Sequence, residues 1–369
     1  MIIPQFIIIQ RGFIAVKTLR LMQFFAIITV FSYLIGCSKA DTTTSINDKK
    51  NEIIVTNDTM SDEVSDFQIK TEDFSDETTE DNKINSDNSA KRVLCFGDSL
   101  TEGYGGEGIT MCNTLQEISG ATVFNYGVFS ESLSCMAARQ GGNPQYLCED
   151  IVIPADCTPV HAQVQGKYGW EMLLVFGDAG INNVSLGGIE GTYTIDDEGT
   201  RYFTRLTEGE EVALPQGTQL FTHAMLDKKD DDILVIWGGS NDEPQSSEEI
   251  PPMLEKIDEM IAYHGNDYYV VISLTSRHGR IPVVDEVNKM LAEKYGDHYF
   301  DLRSYYLNDA LNDLGIRPTD EDLIVIEKGD VPFSIRKNPE EDENHGNPDF
   351  YRLAGEQLYK KLVELGYLN

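Results

Sequence analysis

The stretch Arg92-Val93-Leu94-Cys95-Phe96-Gly97-Asp98-Ser99-Leu100 decides the fold. Four apolar residues run into Gly, Asp and Ser, the order of a buried strand that delivers a hydroxyl into a tight turn at the end of a sheet. A serine hydroxyl is a weak nucleophile until a base and an anion-stabilising pocket are supplied. Two other polar turns offer them. Gly239-Ser240-Asn241-Asp242 follows a second apolar strand, Ile233-Leu234-Val235-Ile236-Trp237, and Asp342-Glu343-Asn344-His345 lies near the C-terminus.

Working outward, strand and helix alternate. Strands are expected at Val93–Phe96, Ala121–Tyr126, Ile233–Trp237, Tyr268–Leu274 and Tyr299–Leu302. Helices are expected near Gly108–Ile118, Glu131–Arg139, Ser247–Tyr263, Val284–Lys294 and Asp349–Leu365. Such alternation implies an α/β fold, a parallel sheet with helices on both faces and ligands beyond the carboxyl ends of the strands. Gly97-Asp98-Ser99, the residues after Tyr126 and Gly239-Ser240-Asn241 all fall at such ends. Between about 141 and 226 the alternation stops. Gly, Pro and Thr separate short strand-like runs, and Asp196-Asp197-Glu198-Gly199 sits between two of them like a hairpin turn, so a β-rich insertion is expected.

The first 90 residues have other work. Lys17 and Arg20 precede an apolar run from Leu21 to Ile35 that ends Leu34-Ile35-Gly36-Cys37. This reads as an export signal over 1–37, and the ending looks like a bacterial lipobox with Cys37 as the lipidated residue. An uncleaved signal anchor is the alternative, and Met22 is an alternative start. Residues 38–90 are polar and acidic without apolar period, the composition of a disordered tether, followed by the ordered part, 91–369. The expected location is therefore the bacterial cell envelope, lipid-anchored on the extracytoplasmic side, with membrane contact through the anchor only. The whole chain has 369 residues, 62 acidic against 29 basic, and a formal net charge of -33, which disfavours nucleic acid as a partner. Nothing in the sequence fixes an oligomeric state.

Of six cysteines, Cys37 belongs to the anchor and Cys95 to the first strand as a buried thiol. Cys148 with Cys157 is the first candidate disulfide and Cys112 with Cys135 the second. Without a Cys-x-x-Cys pair and with scattered histidines, a structural zinc site is not expected. His161, His223, His264 and His298 read as surface or packed residues. Arg277 and His278, at the end of the fourth strand, are candidates to line a pocket. Trp170 and the insertion's Tyr and Phe residues read as its small core, with sugar stacking as the alternative.

Chemically, Ser99 needs a general base, and histidine is best matched to neutral pH. The base in turn needs an acceptor to fix its tautomer. Asp342 and His345, three apart, are placed to meet across a polar turn. Asn241 offers an amide to an oxyanion.

Phe96-Gly97-Asp98-Ser99-Leu100 resembles the first block of the GDSL, or SGNH, hydrolase superfamily. Asn125-Tyr126-Gly127-Val128-Phe129-Ser130-Glu131-Ser132 resembles its second block, Gly239-Ser240-Asn241-Asp242 its third and Asp342-Glu343-Asn344-His345 its last. The order along the chain also matches, over about 92–140 and 230–369. The resemblance implies a three-layer, flavodoxin-like parallel sheet interrupted by the insertion. It also implies a cofactor-free serine esterase with Ser99 as nucleophile, His345 as base and Asp342 as its orienter. The oxyanion hole would be formed by the Ser99 N–H, the Asn241 amide and the backbone N–H of Ser130, which stands where the family has glycine. A shifted register would make Gly127 the donor instead. O-acylated small molecules or glycans, with short acyl groups such as acetyl, are the expected substrates. A lipase or thioesterase on longer chains, an acyltransferase, and a glycan-binding protein with a vestigial core are the alternatives.

Overall fold

The computed structural model describes residues 91–169, 172–275, 279–338 and 342–369. The expected signal, Cys37 and the tether lie outside them, as do Trp170, Arg277 and His278.

Strand β1 (Arg92–Gly97) sits at the middle of the architecture. It pairs in parallel with β2 (Thr122–Gly127) on one side and β3 (Ile233–Trp237) on the other, so that Cys95 stands between Asn125 and Val235. Beyond β3 come β4 (Tyr269–Ile272) and β5 (Tyr299–Phe300), also parallel, giving the order β5-β4-β3-β1-β2. The chain thus winds outward in both directions from β1. The resulting crevice at the carboxyl ends of β1 and β3 is the switch point where such sheets hold ligands.

Period-two side chains build two apolar layers from the same strands. Val93, Cys95, Val235 and Trp237 meet α2 (Met111–Ser119), α7 (Leu302–Asn308) and α10 (Pro348–Glu364). Leu94, Phe96, Leu234 and Ile236 meet α3 (Leu133–Gln140), α5 (Ile250–His264) and α6 (Val284–Tyr295). Three layers follow, as expected. The remaining helices are α1 (Ser99–Glu102), α4 (His223–Asp227), α8 (Ala310–Asp313) and α9 (Asp320–Glu327).

Several boundaries differ from the sequence reading for identifiable reasons. Helix α2 begins at Met111, not Gly108, because Thr110 and Asn113 form a reciprocal capping box while Glu107 and Gly108 have φ of +53° and +94°. Helix α3 begins at Leu133, not Glu131, after a left-handed residue at Ser130. Strand β5 stops at Phe300 because Asp301 caps α7 through the Ser304 N–H. The segment Asp342–Gly346 is not a turn: it is strand β7, antiparallel to β6 (Arg336–Asn338).

The insertion is β-rich. Seven strands between Gln145 and Phe221 form an antiparallel sheet, and Ile151–Ile153 pairs with Val212–Leu214. Ile189–Ile195 and Arg201–Arg205 form a hairpin around Asp196–Gly199, with Gly199 at φ +85°. Its core includes Leu147, Val164, Val184, Tyr193 and Phe203, and it closes over Cys135 and Ala138 of α3.

Neither expected disulfide forms. Cys112 is buried in hydrogen-bond contact with Cys95 rather than Cys135; that contact, with burial, pushes its thiol pKa well up. Cys135 lies 3.9 Å from the Met172 sulfur, and Cys157 is an exposed thiol.

Candidate active site

Ser99 is the first residue of α1, immediately after β1. The Asp98 side chain caps this short helix by accepting from the Leu100 N–H at 2.9 Å. Two glycines let the helix fold back so closely. A Cβ on Gly97 would lie 1.9 Å from Thr101 Oγ1 and 2.5 Å from the Trp237 carbonyl; one on Gly127 would lie 2.0 Å from the Glu102 nitrogen.

His345 arrives from the opposite end of the sequence, on β7, and its Nε2 is 2.8 Å from Ser99 Oγ. Its Nδ1 faces the Asp342 carboxylate at 2.9 and 2.8 Å. Asp342 Oδ1 also accepts the backbone N–H groups of Asn344 and His345, each at 3.1 Å. Burial pushes the Asp342 carboxyl up, but the hydrogen bond and charge of His345 and the two backbone N–H groups outweigh it. The carboxyl therefore sits below its ordinary range. A carboxylate at Nδ1 holds the proton there and leaves Nε2 to accept from the serine hydroxyl. Three residues predicted from sequence thus form one hydrogen-bonded chain. This is the arrangement that the resemblance of the four sequence blocks to the SGNH hydrolases implies.

The residues expected to form an oxyanion hole stand on the turns after β2 and β3. Asn241 Nδ2 donates to the Glu131 carbonyl at 3.0 Å, which orients the amide and leaves its second N–H for another acceptor. Asp242, next in sequence, accepts from the Leu133 N–H at 2.9 Å and pairs with Lys256 at 2.6 Å, tying this turn to α3 and α5. Ser130 is the third residue of a turn closed by the Glu131 N–H on the Val128 carbonyl at 3.3 Å, and has φ +63°. That left-handed position favours glycine, which explains the glycine of the resembled family. The Gly127 N–H is committed to Asn125 Oδ1 at 2.9 Å, so the alternative donor is already occupied.

Sequence reasoning missed Glu131 and Arg139, which form a fully buried ion pair at 2.6 Å. Arg139 also donates to the Tyr126 carbonyl at 2.9 Å and to the Ala179 carbonyl of the insertion at 2.5 Å. Burial pushes the Glu131 carboxyl up against the opposing pull of Arg139. It missed Tyr104 and Phe129 too, whose rings stand beside His345.

The other described histidines are accounted for locally. His161 is exposed and contacts Glu149, and His223 opens α4. His264 is buried against the Tyr268 carbonyl, and desolvation lowers its pKa. His298 stacks on Tyr269 at 4.1 Å. Among the described residues, no group of three His, Cys, Asp or Glu side chains is arranged to hold a metal ion, and no helix is long and apolar enough to cross a membrane.

No protein-family model and no curated protein matches the sequence. Solved structures do. A lipolytic protein of the G-D-S-L family from Desulfitobacterium hafniense is 13% identical, with TM-score 0.39 over 74% of this chain and 99% of its own. A G-D-S-L lipolytic family member from Veillonella parvula is 16% identical, with TM-score 0.35 over 75% and 98%. A gut microbial diltiazem-metabolizing enzyme is 9% identical, with TM-score 0.36 over 74% and 47%.

Proposed function

We propose that this chain is a serine ester hydrolase, and the observation that carries the reading is the unbroken Asp342–His345–Ser99 hydrogen-bond chain. As Ser99 Oγ adds to the ester carbonyl, its proton passes to His345 Nε2, and Asp342 stabilises the imidazolium. The oxyanion is received by the Ser99 and Ser130 N–H groups and the Asn241 amide, dipoles aimed before the charge develops. Collapse breaks the bond between the acyl carbon and the alkoxy oxygen, which takes the proton from Nε2 and leaves as the alcohol. Water then enters by the same path and releases the acid, restoring Ser99.

The finer reading is a short-chain esterase, acting on O-acetyl or similar groups of glycans outside the cytoplasm, with the catalytic part held to the membrane by a lipid on Cys37. The Leu34-Ile35-Gly36-Cys37 ending and the acidic segment after it support the location. The large insertion beside the site supports a substrate bigger than a simple ester.

The test is labelling of the full chain with a fluorophosphonate and mapping of the adduct. A label on Ser99, absent in Ser99→Ala and slowed about 10³-fold or more in His345→Ala, is expected. Asn241→Ala is expected to lower kcat on a short aryl ester by about 10²–10³. A folded protein that neither labels nor turns over esters overturns the proposal. Preference for acyl chains of eight or more carbons would replace the short-chain reading with a lipase or thioesterase.

A further inference from the structure

Tyr104 and Phe129 are each 43% exposed, and their rings meet at 5.3 Å. Single exposed aromatics are ordinary on protein surfaces, but this pair brackets the catalytic imidazole. Tyr104 lies edge-on to His345 at 4.7 Å, and Phe129 is nearly parallel to it at 6.1 Å. Both are held from behind. The Tyr104 N–H donates to the Ser99 carbonyl at 3.0 Å, and its carbonyl accepts from the Tyr351 hydroxyl at 2.6 Å. Lys337 Nζ stands 3.8 Å from the centre of the Tyr104 ring and 3.8 Å from Asp342 Oδ2, occupying the ring's polar side. Phe129 is carried on the turn closed by Glu131 and made left-handed at Ser130. Rings fixed in this way lose little freedom when something packs on them.

Reaction chemistry says which part of a substrate that is. The alkoxy oxygen of the ester must reach His345 Nε2 to take its proton, so the carbon skeleton attached to that oxygen borders the imidazole. Groups flanking the imidazole therefore meet the alcohol and not the acyl chain. We propose that Tyr104 and Phe129 form the subsite for the alcohol part of the ester, and that they take a ring with an apolar face. This rests on the esterase reading and narrows it. Flat faces, whether aryl or the C–H face of a pyranose, suit exposed rings better than a flexible chain does. The surface continues into the insertion, where Gly177 packs on Val128 and its neighbours Val175 and Phe176 are 37% and 49% exposed.

The test uses the full chain and three acetates: ethyl acetate, benzyl acetate and an O-acetylated methyl glucoside. For Tyr104→Ala and Phe129→Ala, the ratio of kcat/KM on a ring ester to that on ethyl acetate is expected to fall about fivefold to tenfold per ring, mostly through KM. A fall confined to the glucoside or to benzyl acetate supports the subsite and tells which ring it takes. An unchanged ratio, or a loss equal on all three acetates with slower fluorophosphonate labelling, overturns it by showing that the rings only hold His345. A loss that follows acyl length, read with ethyl hexanoate, also overturns it, because the rings would then contact the acyl chain. If the wild-type chain neither labels at Ser99 nor cleaves any ester, the esterase reading itself falls. A labelled Ser99 with an unchanged ratio removes only the subsite.

Discussion

The two ends of the Asp342–His345–Ser99 hydrogen-bond chain are held in opposite ways. Ser99 opens the helix that follows a strand hydrogen-bonded on both sides and packed between two apolar layers, so its position is a property of the whole sheet. His345 and Asp342 lie on a two-stranded hairpin outside that sheet, and bonds within four residues fix their geometry. Lys337 reaching Asp342 and the Asn347 N–H donating to the Ile335 carbonyl at 3.0 Å tie the hairpin's two strands together, and Gly105 packs on the Gly346 carbonyl from outside the hairpin. Damage to the nucleophile's support should therefore show as lost stability, and damage to the base's support as lost chemistry in a protein that still folds.

The sharpest test is Asp342→Asn, expected to lower kcat by about 10³–10⁴ while the thermal midpoint moves little. Combined loss of stability and activity would break the contrast. The pH dependence follows from the same residue. The Asp342 pKa is depressed on folding, so its contribution to stability is present above the unfolded carboxylate value of about 3.9 and is lost as pH falls through the lower folded value. Circular dichroism and activity followed together should thus show the fold's Asp342 contribution intact down to about pH 4. Melting of the fold together with activity near pH 6 would contradict this.

On the nucleophile's side, Gly97→Ala places a methyl against Thr101 and the Trp237 carbonyl. Chemical denaturation should show a loss of about 3 kcal/mol. Glu131→Gln leaves Arg139 buried without its charge partner, and a loss of about 3 kcal/mol is expected, with a rise in KM as the Ser130 turn loosens. The smallest effect is the most pointed. Ser130→Gly removes the cost of a left-handed side-chain residue and should stabilise by about 1 kcal/mol, leaving kcat within about twofold, because the backbone N–H is kept.

Legibility in the sequence followed the same division. Ile233–Trp237 was predicted to the residue, because a fully buried apolar run between turn residues has one reading in an alternating chain. Ser99, Asp342 and His345 were found by chemistry and order, although 246 positions separate the first from the last. The hairpin under Asp342 and His345 was not visible: Asp-Glu-Asn-His has no apolar alternation to mark a strand. Helices α7 to α9 lie between the fifth expected strand and Asp342, where the sequence reading assigned no element. Glu131 and Arg139 escaped because charge normally signals surface, and only the fold shows that each is the other's solvent. The cysteine pairings failed for a related reason. Spacing along a chain says nothing of which thiols converge, and Cys112 converges on Cys95.

Arg139 has one more consequence. Its guanidinium closes on Glu131, next to Ser130, and on the carbonyl of Ala179, inside the insertion, while its own carbonyl accepts from Thr222 at 2.6 Å. The back of the same helix completes the insertion's core through Cys135 and Ala138. The β-rich segment is therefore no detachable ornament. Excising 141–226 would strip one flank from a structural helix and take away a ligand of a buried cation. One side chain, Arg139, thus joins the β-rich segment to the turn that carries Ser130 and Glu131.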